Sequence, residues 1–161
     1  MSENKTDNTE LIKTLNHLIV INNDRIDGYE KAIAECKDKH PDLKAIFNDN
    51  IEMSFENKKE LEDAVEDAGG VIETGTTAAG KLHRVWMDID SAFTGFARHT
   101  LLANCELGED ASLKAYHEAL TTKNIPYRLK DILEVHELRL KSAHDKIKYL
   151  RDEKEVHDTE R

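Results

Sequence analysis

Prolines are nearly absent from this chain, two in 161 residues, and glycines number only seven. So few breakers exclude a chain punctuated by turns and leave room for long uninterrupted helices. Cysteine is equally sparse. Cys36 and Cys105 stand far apart, with no CxxC pair and no His/Cys cluster, which argues against a disulfide framework and suits a reducing compartment. No apolar run approaches the roughly 18 residues of a membrane span, and the polar opening MSENKTDNTE does not read as a signal peptide. The expectation is a soluble, cytoplasmic protein without a membrane partner. Basic residues are outnumbered, giving a formal net charge of -10, and the basic stretch from Lys141 to Arg151 is interrupted by Asp145. No basic stripe is left to bind nucleic acid. Also missing are a Gly-x-Ser-x-Gly elbow, a phosphate-binding glycine loop and a recognisable Ser/His/Asp set, so neither a catalytic residue nor a small-molecule substrate can be named.

What the chain does have is charge, 35% of its residues, and helical periodicity. Its length fits one domain with a real core. Residues 1–8 read as a disordered tail, 9–155 as the folded bundle and 156–161 as a frayed end. A first helix runs from about Thr9 to Lys39, with Leu11, Leu15, Leu18, Ile19, Ile26, Tyr29 and Ile33 as its apolar stripe. Pro41 opens a second helix, in the first-turn position where its missing N–H does no harm, and Gly69-Gly70 stop it. Phe47, Ile51, Phe55, Leu61 and Val65 are its expected buried face. A third long helix covers about Arg98 to Thr121. After the turn TKNIP, a fourth continues from Pro126 to about Lys154. Between the second and third lies a long connection whose KLHRVWMDIDSAF segment reads as a short amphipathic helix ended by Gly95.

Tight turns near residues 40 and 124 force two antiparallel hairpins, and a connection of this length reaches across a bundle. One long crossover between two hairpins is the topology of ferritin-like four-helix bundles. The fold class is therefore all-α, a ferritin-like four-helix bundle with an extra short helix in its crossover. Breaks at Pro41, Gly69-Gly70, Gly95 and Pro126 argue against an extended coiled coil.

Two carboxylates interrupt the pattern. In LLANCELGEDASLKAYHEAL, Leu102, Glu106, Glu109, Leu113, Tyr116 and Leu120 step by four and three along one helical face. A carboxylate on a buried stripe is costly unless its charge is compensated, by a metal, a histidine, an arginine or a shared proton. The fourth helix has its own polar intruder, His136, on the stripe of Leu129, Leu133, Leu140, Ala143, Ile147 and Leu150.

The strings INNDRIDGYEKA, GKLHRVWMDIDSAFTG, CELGEDASLKAYHEAL and SAHDKIKYLRD together resemble a bacterial family catalogued only as a domain of unknown function. The resemblance covers about Leu11 to Asp152. It implies a fold similar to that of ferritins, and it carries no established activity.

Ferritin-like di-metal sites gather glutamates from two helices and Glu-x-x-His pairs from the other two. Here Glu106 and Glu109 offer Glu-x-x-Glu. Pairing about the turn at 124 brings His144 within a turn of Glu106, and His136 within a turn of Glu109. Glu30 on the first helix, parallel to the fourth, lies near the level of His144. Glu30, Glu106, Glu109, His136 and His144 are thus the candidate metal ligands, and such donors suit iron or manganese. The second helix has no histidine, and of its glutamates Glu52 and Glu62 lie nearest the buried face, so the full ligand set is not present. His83 is either a cap on such a site or a partner for a nearby carboxylate. Arg84 is a candidate counter-charge for the glutamates, Trp86 a plug packing the short helix down, and Cys105 a buried core thiol. Two functions remain open. One is a metal-binding bundle linked to redox or stress chemistry. The other is a metal-free structural or interaction bundle in which Arg25, Arg98 or Arg139 neutralises the glutamates. The broad first-helix stripe further favours a homodimer.

Overall fold

A computed structural model describes the backbone of residues 2–76, 81–87 and 98–159, and the side chains of 8–76, 83–87 and 98–153. Five helices and no strand occur among these residues: α1 (Ser2–Cys36), α2 (Pro41–Asp67), α3 (Lys81–Met87), α4 (Arg98–Leu120) and α5 (Tyr127–Thr159). The helix start expected at Thr9 falls inside α1, which extends back to Ser2 through a stretch free of proline and glycine. Gly95, expected to end the short helix, lies outside the described residues. No helix is long and apolar enough among them to cross a membrane.

The ends follow local chemistry. His40 takes a left-handed conformation before Pro41, which starts α2. At the other end Gly69 adopts a φ of 80°, which only glycine enters without cost, and Gly70 donates to the Val65 carbonyl while Gly69 donates to Glu66. This pair of bonds closes α2 and turns the chain into the crossover.

Packing order around the bundle is α1, α2, α5, α4, so that α1 and α5 lie diagonally opposed, as do α2 and α4. Paired cross-links fix the directions. Asn57 and Ser54 of α2 face Asn22 and Arg25 of α1 in descending order, and Tyr116 and Glu109 of α4 face the same two residues likewise. All neighbours are therefore antiparallel and the diagonal pairs parallel. A parallel α2 and α4 require the connection between them to traverse the bundle, the single crossover read from the sequence.

The core has two apolar clusters. Leu15, Leu18, Leu61, Val65, Leu129, Leu133 and Leu140 fill one end, and Tyr29, Phe47, Trp86, Leu101, Leu102 and Ile147 fill the other. Along α2 the buried positions are Leu43, Phe47, Asn50, Ser54, Asn57, Leu61 and Val65. This corrects the expected face. Phe55 is half exposed, because the four-three rhythm continues through Asn50, Ser54 and Asn57 rather than through the larger apolar side chains nearby.

The crossover helix α3 is held by Trp86, which is fully buried as the plug the sequence suggests. Its indole packs on Tyr29 with ring centres 5.0 Å apart and lies in a notch between Gly28 of α1 and Gly108 of α4. A Cβ at either glycine would come within 2.5 Å or less of the indole, so no other residue fits there without repacking.

Candidate metal centre

Between the two apolar clusters runs a layer of buried polar side chains. Arg25 and Glu109, neither of them exposed, form an ion pair at 2.6 Å. The other terminal nitrogen of Arg25 donates to Ser54 Oγ at 2.5 Å, and the Tyr29 hydroxyl donates to the same Glu109 Oε1. Burial pulls the Arg25 guanidinium down, but Glu109 together with Tyr29 and Tyr116 lifts it above its ordinary value on balance. Burial and Glu109 likewise raise Tyr29 and Cys105 well above theirs, which keeps both protonated. Cys105 is the buried core thiol expected.

One turn further along, Asn22 donates to the Tyr116 hydroxyl at 2.8 Å, and that oxygen lies 3.1 Å from His136 Nδ1. Since the Tyr116 oxygen already accepts from Asn22, its proton goes to His136 Nδ1, and the neutral ring carries its own proton on Nε2. Nε2 faces Glu60 at 3.4 Å, too loosely for a hydrogen bond, while Arg139 takes the other Glu60 oxygen at 3.0 Å. Burial depresses His136 to about 4 against the pull of Glu60, so the ring is neutral near pH 7. Asn22 thus satisfies buried polar groups inside the bundle.

A third group lies at the α4–α5 flank. His144 Nε2 sits 2.8 Å from Asp110 Oδ1 and 3.6 Å from Glu106 Oε1, and its Nδ1 is 3.0 Å from Asp145 Oδ1. The hydrogen bond from His144, and then that from Lys141, holds the Asp145 carboxyl below its ordinary range. With Nδ1 donating to Asp145, Nε2 presents a lone pair toward two carboxylates. Nε2 makes no hydrogen bond, because a lone pair and an ionised carboxylate are both acceptors. Glu106 Oε2 is held by Arg151. One donor atom each from Glu106, Asp110 and His144 lie mutually within 4.8 Å, the only such trio of possible ligands among the described residues.

The two glutamates that stood together on the stripe therefore part company. Glu109 turns to α1 and the core arginine, whereas Glu106 turns to α5. His144 meets Glu106, as the turn-centred pairing implies, but His136 meets Tyr116 and Glu60 instead of Glu109. Glu30 is exposed on α1 and joins none of these groups. Nor do Glu52 and Glu62 reach inward; Glu60 does. Arg84 is exposed, Arg98 pairs with Asp42 at 2.6 Å, and His83 Nδ1 meets Asp24 at 3.0 Å, the carboxylate-partner reading. Sequence reasoning missed Asp110, Asp145 and Arg151. The signal for Asp110 was its position one helical turn after Glu106, facing the same neighbour.

Residues 10–122 match the family described as a domain of unknown function, DUF2383. No curated protein matches the chain. Among solved structures the fold is similar to that of a Dps1 mutant from Mycobacterium smegmatis, with a TM-score of 0.76 and 13% sequence identity, over 91% of this chain and 97% of that one. At that identity the likeness establishes the ferritin-like fold and nothing finer.

Proposed function

The chain belongs to the DUF2383 family, and for this member we propose a ferritin-like bundle that binds one divalent transition-metal ion through Glu106, Asp110 and His144. The observation that carries this reading is the setting of His144. Its Nδ1–H is fixed by a carboxylate, the usual orienting partner of a metal-bound imidazole, and Nε2 faces carboxylate oxygens of Asp110 and Glu106 at 2.8 and 3.6 Å. Two ligand atoms each about 2.1 Å from one ion sit about 2.9–3.5 Å apart, so these separations suit shared coordination. One imidazole and two carboxylates suit iron, manganese or zinc. The ion supplies Lewis acidity. The chain supplies a fixed tautomer at His144, carboxylate charge, and an approach from solvent past the half-exposed Asp110.

For the core, the metal-free reading is the better one. Arg25 already supplies the positive charge that Glu109 requires, and Glu109 Oε1 is taken by both Arg25 and the Tyr29 hydroxyl. Equilibrium dialysis against manganese or zinc, with metal counted per chain, tests the assignment. The native chain should hold one ion, as should Glu30→Gln, while His144→Ala should hold none. Retention by His144→Ala, or an empty native chain, refutes it.

A further inference from the structure

Arg151 meets the flank site at the Glu106 oxygen that His144 does not face. Its guanidinium donates to Glu106 Oε2, and its Nε and second terminal nitrogen both reach Asp152 Oδ1, at 3.2 and 3.1 Å. The side chain is three-quarters buried, and the bonds to Asp152 hold its planar group in place. Glu106 is thereby divided: one oxygen belongs to the arginine, and only Oε1 faces the imidazole and Asp110.

That division matters because a carboxylate binds a metal through one oxygen or two. Large hard cations such as calcium collect six to eight oxygens and commonly take a carboxylate through both. Smaller borderline ions are content with four to six donors, one or more of them nitrogen. A fixed positive charge beside the site also weakens an ion held by charge alone more than one held partly by a nitrogen lone pair.

We propose that Arg151 sets the ion selectivity of the Glu106–Asp110–His144 site, by restricting Glu106 to one-oxygen ligation and so disfavouring calcium relative to small transition-metal ions. The inference rests on the metal-site reading above. Arg151 touches no metal ligand atom facing the ion and is a positioning residue. Its role differs from that of a structural brace in the sign of its effect. Loss of a brace loosens the site for every ion, whereas loss of this restraint improves the site for calcium most.

Cobalt(II), followed by its visible absorption, and calcium, followed by its competition with cobalt, are the probes for the native full-length chain, Arg151→Ala and Arg151→Lys. In Arg151→Ala the calcium Kd should fall by about tenfold and the cobalt Kd by about threefold, shrinking the preference for cobalt. Arg151→Lys, which keeps a cationic donor for Oε2, should retain the native preference. An unchanged preference in the alanine variant, weaker binding of both ions, or a lysine variant that behaves like alanine overturns the inference and leaves the site standing. A native chain that takes up no cobalt overturns both.

Discussion

Arg25 and Glu109 hold each other across α1 and α4 at 2.6 Å with neither side chain exposed to solvent. Each would be a severe liability alone. A buried pair of this kind contributes little net stability compared with apolar residues of similar volume, yet breaking it from one side strands a charge.

Glu109→Leu should therefore lower unfolding free energy by about 3–5 kcal/mol. Replacing both partners, Arg25→Met with Glu109→Leu, should cost far less than the sum of the two single changes. Urea denaturation of the four proteins measures the coupling, and strictly additive losses would contradict the ion-pair account.

The notch around Trp86 makes a second prediction. Gly28→Ala places a Cβ 2.2 Å from the indole, so it should destabilise by about 1–3 kcal/mol despite alanine's better helix propensity. Trp86→Ala should cost about 3–5 kcal/mol through the cavity it leaves. Combined, the two should be no worse than Trp86→Ala alone, because the added methyl then has room. Thermal melts of the single and double variants check this; a double variant weaker by the full sum would place the glycine's role elsewhere.

His136 gives a pH dependence. Its folded value of about 4 lies below the ordinary 6.5, so at intermediate pH the unfolded chain binds the proton more readily. The stability this neutral ring contributes is thus complete above pH 6.5 and is lost as pH falls toward 4, by about 3 kcal/mol in all. Glu60 and Arg139 face the same ring, and Tyr116 fixes its tautomer. Denaturation midpoints between pH 7 and pH 4.5 should fall more steeply for the native chain than for His136→Gln. Parallel profiles would show that other groups dominate the acid response.

The architecture was legible because it rests on punctuation and period. Pro41, Gly69-Gly70 and Pro126 set the hairpins, and the length of the crossover set their arrangement. The site was legible only in part. Glu106 with His144 followed from antiparallel register about the turn at 124. The separation of Glu106 from Glu109 did not, since residues three apart point some 60° away from each other, enough to face different neighbours at the edge of a stripe. Arg25 was one of four arginines able to neutralise a glutamate, and only tertiary packing selects it. The polar run Asn50, Ser54, Asn57 continued the α2 rhythm, but its larger apolar neighbours Ile51 and Phe55 masked it. Asp110 and Arg151 looked like ordinary surface charges, because what distinguishes them is the neighbour across the helix pair.

The central claim is a division of labour between the two glutamates, ion pair in the core for Glu109 and metal at the flank for Glu106. Anomalous diffraction from crystals of the native chain grown with manganese or zinc tests it most directly. The account predicts one anomalous peak, among Glu106, Asp110 and His144, with Arg25 still bound to Glu109. A peak beside Glu109, or an empty flank at saturating metal, would contradict it.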